Sequence, residues 1–338
     1  MTRIEGGVLA VTWVPREAVE GPARLPFQLG LVRFDEPPPD MLDDPRSFLR
    51  AGGFTVANDL RAWIEVEDGR VRAHGIAGGV VVGGVERTVT ETVTFAQHAF
   101  PVLRPEPEVA EDYVRFVQTV GASTGLAAPR RLGPRGDAHV SAPPAWTTLV
   151  LTIRADGTSD HELIGASAFP RHWLYDGAGR LRAKTAVIEF DDWFYRDAGR
   201  VSPWGGVDTP ALVAAAESAL ERRLSGVIVG SDPPFRRLRP GEELARQGDP
   251  GGELFLIFDG VLEVERDGET IARLGPGAVV GEGALLAGGV RSATLRALTA
   301  VRVATVPGDL IDREALAELA AGRLEGGGDA SRVPGTFA

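Results

Sequence analysis

The chain has 338 residues, 43% of them hydrophobic, and a formal net charge of −11, which is enough apolar material for two domains with separate cores. The acidic balance disfavours nucleic acid and anionic membrane surfaces as partners, because both are bound by clustered Lys and Arg. The absence of cysteine excludes disulfides and thiolate metal sites, and with no oxidising compartment indicated a cytoplasmic location is expected.

The opening 1-MTRIEGGVLA-10 lacks a signal-peptide core. Residues 1–205 read as strands. Alternating runs occur at 61-RAWIEVE-67, 70-RVRAHGI-76, 86-ERTVTETVTF-95 and 113-YVRFVQTV-120, each putting apolar side chains on one face. The longest apolar stretch, 77-AGGVVVGGV-85, is too short and too Gly-rich to span a bilayer. The pattern 146-WTTLVLTIRADGTSDHELIGAS-167 predicts a hairpin turning at Ala155, Asp156 and Gly157. A further strand is expected at 181-LRAKTAVIEF-190. No helical run separates these strands, so antiparallel pairing is expected, as a barrel, a sandwich or a helix-grip fold.

All six Trp, all three Tyr and all five His precede residue 205, which predicts a second domain of different make-up beyond it. The boundary is placed at 205-GGVDTP-210, with Asp208 or Thr209 capping a helix and Pro210 at its first position. That helix is predicted over 210–224, with Leu212, Ala215, Ala216, Ala219, Leu220 and Leu224 on one side and Ser225-Gly226 as its end. Short strands follow at 253-ELFLIF-258, 261-VLEVER-266 and 269-ETIARL-274, joined by the hairpin dipeptides Asp259-Gly260 and Asp267-Gly268. A closing helix is predicted over 309–325, and the Gly-rich tail 326–338 is expected to be disordered.

Three features of the first domain carry candidate chemistry. The run 121-GASTG-125 spells the nucleophile-elbow pattern around Ser123, with His139, His161 and His172 as candidate bases. A glycine turn between strands is the alternative. Asp160, His161 and Glu162 cluster ahead of Arg171 and His172, but Gly165 stands where a H-E-x-x-H helix would place its second His. An exposed hairpin end is therefore expected, and no metal site. Lys184 is the single lysine in a chain whose Lys and Arg total 36, an imbalance that fits codon bias in a GC-rich bacterial genome. A desolvated lysine can form a Schiff base, as arginine cannot. On a strand it shares a face with Arg182, Ala186, Ile188 and Phe190; that face lines a cavity or is solvated. The aromatic set 190-FDDWFY-195, Trp173, Tyr175 and Trp204 forms a barrel mouth or core.

In the second domain, 281-GEGALLAGGVRSAT-294 leaves backbone uncovered at Gly281 and Gly283, at the start of a short helical turn. Amides there, with those of Ala284 and Leu285, can face a phosphate. Arg291 can add a bidentate, charge-assisted contact and Ser292 a hydroxyl. Glu282 can accept a hydrogen bond from a sugar hydroxyl. The run 275-GPGAVVG-281 imitates a dinucleotide fingerprint, but its third glycine is one residue late and no βαβ unit surrounds it.

Residues 240-PGEELARQGDPGGELFLIFDGVLEV-264 and 275-GPGAVVGEGALLAGGVRSATLRA-297 together resemble the cyclic nucleotide-binding domain family. The resemblance implies a β-roll over about 209–325 with Gly241, Gly248, Gly260, Gly275 and Gly277 at tight turns. It implies that Gly281, Glu282, Gly283, Ala284, Leu285, Arg291 and Ser292 form a phosphate-binding cassette. In it Arg291 meets the phosphate and Glu282 the ribose 2′-OH. The ligand is then cAMP or cGMP, with no other cofactor. The family often has Phe and Pro where this chain has Val280 and Val290, and the closing helix carries no aromatic to stack on a base. No helix-turn-helix follows, so the transcription-factor form is not expected. The whole reads as a mainly β, cyclic-nucleotide-responsive regulator, free to form homo-oligomers, in which the flanking helices relay ligand binding to the N-terminal domain. The alternatives are a small-molecule enzyme in the N-terminal domain regulated by the roll, or an assembly protein with a non-binding roll.

Overall fold

A computed structural model describes residues 1–15, 37–44, 56–82, 87–90, 93–95, 98–123, 128–130, 139–141, 144–190, 202–205 and 211–326, with single positions at 19, 24, 35, 48 and 193. The chain divides into two units, Met1–Arg182 with Ile188–Ala211, and Ala183–Val187 with Leu212–Ala338.

The first unit is built from strands β1 (Thr2–Trp13), β2 (Val56–Glu67), β3 (Arg70–Val82), β4 (Arg87–Thr90), β5 (Val93–Phe95), β6 (Glu108–Val109), β7 (Tyr113–Ser123), β8 (Ala128–Arg130), β9 (His139–Ser141), β10 (Pro144–Arg154), β11 (Ser159–Ala166) and β12 (Arg171–Asp176). One sheet runs β12-β1-β2-β3 and the other β11-β10-β7-β6. The pairings along β1, β2, β7 and β10 are antiparallel. Because β1 and β2 pack across onto β10 and β7, the arrangement is an open sandwich. Period-two alternation turns Leu60 and Ile64 of β2, Phe116 of β7, and Leu149, Leu151 and Ile153 of β10 into its core, all fully buried. Each such side chain contributes about 1.5–3 kcal/mol by leaving water. A buried amide pair joins the sheets at one register. Gln118 Nε2 donates to Asn58 Oδ1 at 2.7 Å, and Asn58 Nδ2 donates to the Thr147 carbonyl at 3.0 Å. The expected hairpin turns at Asp156-Gly157, where Gly157 has φ 93°. The run 86–95 is not one strand: its described residues form the β4–β5 hairpin.

The second unit holds β13 (Leu181–Thr185) through its last three residues, β14 (Val213–Ala215), α1 (Ala219–Gly230), β15 (Phe235–Leu238), β16 (Glu243–Ala245), β17 (Glu253–Asp259), β18 (Leu262–Arg266), β19 (Glu269–Leu274), β20 (Val279–Val280), α2 (Glu282–Leu286), β21 (Thr294–Ala297), β22 (Val301–Pro307) and α3 (Arg313–Gly326). Sheets β15-β22-β17-β20 and β16-β21-β18-β19 form the β-roll. Strand β17 has two apolar faces. Phe255 and Ile257 enter the roll interior with Leu262, Val280 and Leu295. Leu254 and Leu256 pack against Leu224 and Ile228 of α1 and Leu316 and Leu319 of α3.

The helix expected over 210–224 begins later than expected, at Ala219. Residues Val213–Ala215 instead pair with Ala183–Thr185, and α1 begins six residues after Val213. A capping box sets that start: Glu221 N donates to Ser218 Oγ at 3.1 Å, and Ser218 N donates to Glu221 Oε2 at 3.0 Å. Ser225 and Gly226 do not end the helix, because Ser225 Oγ donates to the Glu221 carbonyl at 2.8 Å and the turn continues. Asp208, Thr209 and Pro210, like the tail beyond Gly326, lie outside the described residues. The strand expected over 181–190 stops at Thr185.

Lys184 is buried, not solvated. Its Nζ lies 2.5 Å from Glu217 Oε1, and the two side chains are 6% and 4% exposed. Removing one partner leaves a buried charge without its counterion. The Glu217→Ala variant should therefore lose about 3–5 kcal/mol of stability, whereas the Lys184→Met, Glu217→Leu pair should lose far less. Urea unfolding followed by far-UV circular dichroism measures both; equal losses would mean that the charges do not depend on one another.

His172 is fully buried in the first unit. Its Nε2 is 3.0 Å from the Ser167 carbonyl, which can only accept, so Nε2 carries the hydrogen and Nδ1 accepts from Thr12 Oγ1 at 2.8 Å. Burial pushes its pKa from 6.5 down to about 4. The unfolded chain takes up this proton near pH 6.5 and the folded chain only near 4. Stability present above pH 6.5 is therefore lost as the pH falls towards 4, by roughly 2–3 kcal/mol at pH 4.5. All six Trp lie in the N-terminal part, so tryptophan fluorescence during urea unfolding at pH 7.5 and 4.5 reports this unit. The pH dependence should shrink by that amount in His172→Gln.

Candidate functional site

Strand β20 ends at Gly281, whose φ of 103° is left-handed and which forms the N-cap of α2. A Cβ at this position would stand 2.8 Å from both the Glu253 carbonyl and Arg291 Nη1, so only glycine fits. After α2 the chain turns back on itself: Ala287 N donates to the Gly283 carbonyl at 3.0 Å and Gly289 N to the Ala284 carbonyl at 2.7 Å. The 248–252 loop then fixes the return. Gly251 N donates to the Gly289 carbonyl at 2.8 Å, Arg291 N to the Asp249 carbonyl at 2.8 Å, and Gly248 N to the Arg291 carbonyl at 2.9 Å.

These contacts aim the Arg291 side chain inward, where it is 6% exposed. Its Nη1 donates to the Glu253 carbonyl at 2.9 Å, its Nη2 is 3.8 Å from Glu253 Oε2, and its guanidinium carbon lies 5.0 Å from the centre of the Phe255 ring. A Cβ on Gly251 would fall 2.1 Å from Arg291 Nε, so this glycine makes room for the guanidinium. Burial lowers the Arg291 pKa and the Glu253 carboxylate opposes that shift; the group stays cationic.

Of the sequence-predicted cassette residues, Gly281 lies directly against this cation. Glu282 opens α2 and is buried, as is Ala284. Ser292 is exposed, with its Oγ 2.6 Å from where a Cβ of Gly283 would be. Leu285 and Leu286 pack inward beside the α1 and α3 leucines, as expected. Val280 fills the roll core, whereas Val290 is 48% exposed and bridges to Pro250. Of the five turn glycines, Gly241, Gly248, Gly260 and Gly277 have φ of 83–95°. Gly275 serves a different need, since a Cβ there would lie 2.2 Å from that of Ala214. Glu253, Phe255 and Gly251 were not legible as site residues: 253–258 reads only as a strand, and nothing local links it to Arg291, 38 positions away.

The N-terminal candidates are not assembled in this way. Ser123 stands at the end of extended β7, opposite Pro144 of β10. Its N donates to the His98 carbonyl at 2.9 Å and its Oγ accepts from His98 N at 2.8 Å. Residues 124–127, which would form the elbow, lie outside the described residues. Of the candidate bases, His172 is held by Thr12 and Ser167, His161 pairs with Leu151, and His139 lies in β9. Asp160 forms an ion pair with Arg154 at 2.6 Å. Among the described residues no three His, Asp or Glu are grouped to hold a metal. Trp173 and Tyr175 belong to a buried cluster with Trp13, so they are core; of 190–195, only Phe190 and Trp193 are described. Trp204 packs on Phe100 with ring centres 4.9 Å apart. An open groove of about 940 Å³ runs past Gly7, Asp59, His161, Asp176, Arg180 and Arg182, and its Arg–Asp charges pair with one another. Among the described residues no helix is long and apolar enough to cross a membrane.

Residues 235–317 match the family model described as a cyclic nucleotide-binding domain. The cGMP-dependent protein kinase egl-4 of Caenorhabditis briggsae is 39% identical over 67 residues, 20% of this chain and 9% of the kinase. An uncharacterized protein of Mycobacterium tuberculosis is 48% identical over 65 residues, 19% of this chain and 13% of that protein. The match thus spans about a tenth of the length of these curated relatives. A solved cyclic nucleotide-binding domain from Methylobacillus flagellatus is 24% identical with a TM-score of 0.28, over 32% of this chain and 73% of that one. The C-terminal third of the chain, through residues 235–317, belongs to the cyclic nucleotide-binding domain family.

Proposed function

We propose that the protein is a cyclic-nucleotide-responsive regulator, whose roll takes cAMP or cGMP and whose N-terminal sandwich is the responding part. The observation that carries this reading is the Arg291 guanidinium, buried yet still cationic and held beside Gly251 and Gly281. In this reading Arg291 meets the phosphate together with the amides of Gly283, Ala284 and Leu285 and the Ser292 hydroxyl. Glu282 accepts from the ribose 2′-OH. The likeness to a cGMP-dependent kinase supports the ligand class.

The response is a population shift. Glu221 of α1 accepts from Val279 N at 3.4 Å, and Ser225 Oγ donates to the Gly277 carbonyl at 3.3 Å, so α1 rests on the strand that enters the cassette. Helix α2 touches α3. Ligand that reorders the cassette therefore biases both helices, by no more than its differential affinity for the two states, typically 1–3 kcal/mol.

Calorimetric titration of nucleotide-free protein with cAMP and then cGMP tests the reading. Saturable binding is expected, weakened more than about tenfold in Arg291→Ala; no heat with either ligand in folded, empty protein would reject it. The Glu282 role has its own check. The wild type should prefer cAMP over 2′-deoxy-cAMP by roughly 10- to 150-fold, the worth of one hydrogen bond to a charged group. Glu282→Ala should erase that preference, and a preference that survives would place the 2′-OH elsewhere.

A further inference from the structure

The buried cation of the cassette does not stand alone. Arg291 is 6% exposed, but the Glu253 side chain whose Oε2 lies 3.8 Å from its Nη2 is 59% exposed. This carboxylate is carried on a fixed backbone. Glu253 pairs with Pro307 across the β17–β22 ladder, and the neighbouring Gly252 carbonyl accepts from Gly308 N at 2.8 Å. The Glu253 carbonyl also takes one of the guanidinium donors, at 2.9 Å. Any phosphate that engages Arg291 therefore comes within a few ångströms of the Glu253 carboxylate.

The charge of the arriving phosphate then matters. A cyclic phosphodiester carries one negative charge. Hydrolysis of its ring ester gives a monoester, which carries −1.5 to −2 at pH 7. Glu253 balances the charge of Arg291 and Glu282 adds a second carboxylate to the cassette, so each further negative charge on the ligand meets repulsion with no matching attraction. Resting on the cyclic-nucleotide reading above, we propose that Glu253 is a specificity-determining residue, a charge filter that admits the cyclic phosphodiester and disfavours the linear 5′-monophosphate. A site so built is not held occupied by the spent form of its own signal.

The test is the ratio of two affinities in the full chain, measured by displacement of a fluorescent cyclic nucleotide. Kd values for cAMP and 5′-AMP are compared in wild type, Glu253→Gln and Glu269→Gln, at pH 7.5 in 0.05 M and 0.5 M salt. Gln keeps the length of the side chain and the backbone carbonyl that holds Arg291. Glu269 is exposed on β19 in the opposite sheet and controls for overall charge. In Glu253→Gln, 5′-AMP should tighten about three- to tenfold more than cAMP at low salt, and this gain should shrink at high salt as screening sets in. Glu269→Gln should leave the ratio unchanged. An unaltered ratio in Glu253→Gln, or an equal change in both variants, overturns the filter while cAMP binding by the wild type keeps the cassette reading intact. A wild type that binds neither ligand removes the cassette reading itself, and the filter with it.

Discussion

Burying a guanidinium is costly, and the roll is shaped around the contacts that offset the cost at Arg291. An isolated charge in an apolar interior is strongly disfavoured. Here the charge meets a backbone carbonyl at 2.9 Å, a carboxylate at 3.8 Å and an aromatic face at 5.0 Å, each favourable to a cation. These partners come from one strand, β17, at Glu253 and Phe255. The same strand presents Leu254 and Leu256 to α1 and α3. Arg291 is therefore locked to the element on which both flanking helices pack.

That lock constrains the sequence in turn. The guanidinium leaves no space for a side chain at Gly251 or Gly281. Gly281 must also adopt a left-handed φ to turn from β20 into α2, so two independent demands fall on one residue. Gly283 answers to a third, because Ser292 Oγ occupies the place of its missing Cβ. A segment under such restrictions keeps its glycines for steric reasons before any ligand is considered.

What was legible in the sequence was what is local. The Asp-Gly turns at 156–157 and 267–268 announce their hairpins because the residues that form them are adjacent. The 281–292 run announces the cassette because its glycines, Glu282 and Arg291 fall within a dozen positions. Longer-range pairings were not legible. The 210–224 stretch has helical periodicity, but its first part is taken by a strand partner at Ala183–Thr185, and the capping box at Ser218 restarts the helix downstream. Lys184 reads as solvated or reactive until Glu217, 33 positions on, is seen beside it. The first glycine of the G-x-S-x-G around Ser123 has a packing reason of its own. Trp146 and Trp204 crowd Gly121, at 2.7 and 2.6 Å from its would-be Cβ, so it must be small.

The capping box has a second consequence, for communication. Glu221 closes the box with Ser218 and also accepts from Val279 N at 3.4 Å, just before the cassette. Glu217, one residue ahead of the cap, is tied to Lys184 and lies against Gly277, where a Cβ would stand 2.5 Å from its carboxyl carbon. The start of α1 is thus joined on one side to the strand that leads into Gly281, and on the other to a segment that continues in sequence from the N-terminal unit. Interdigitated buried contacts of this kind shift between discrete arrangements more readily than they deform. A displacement of β20 by a bound ligand would have to be accommodated at Glu221 or Glu217, and the buried ion pair makes the second the stiffer of the two.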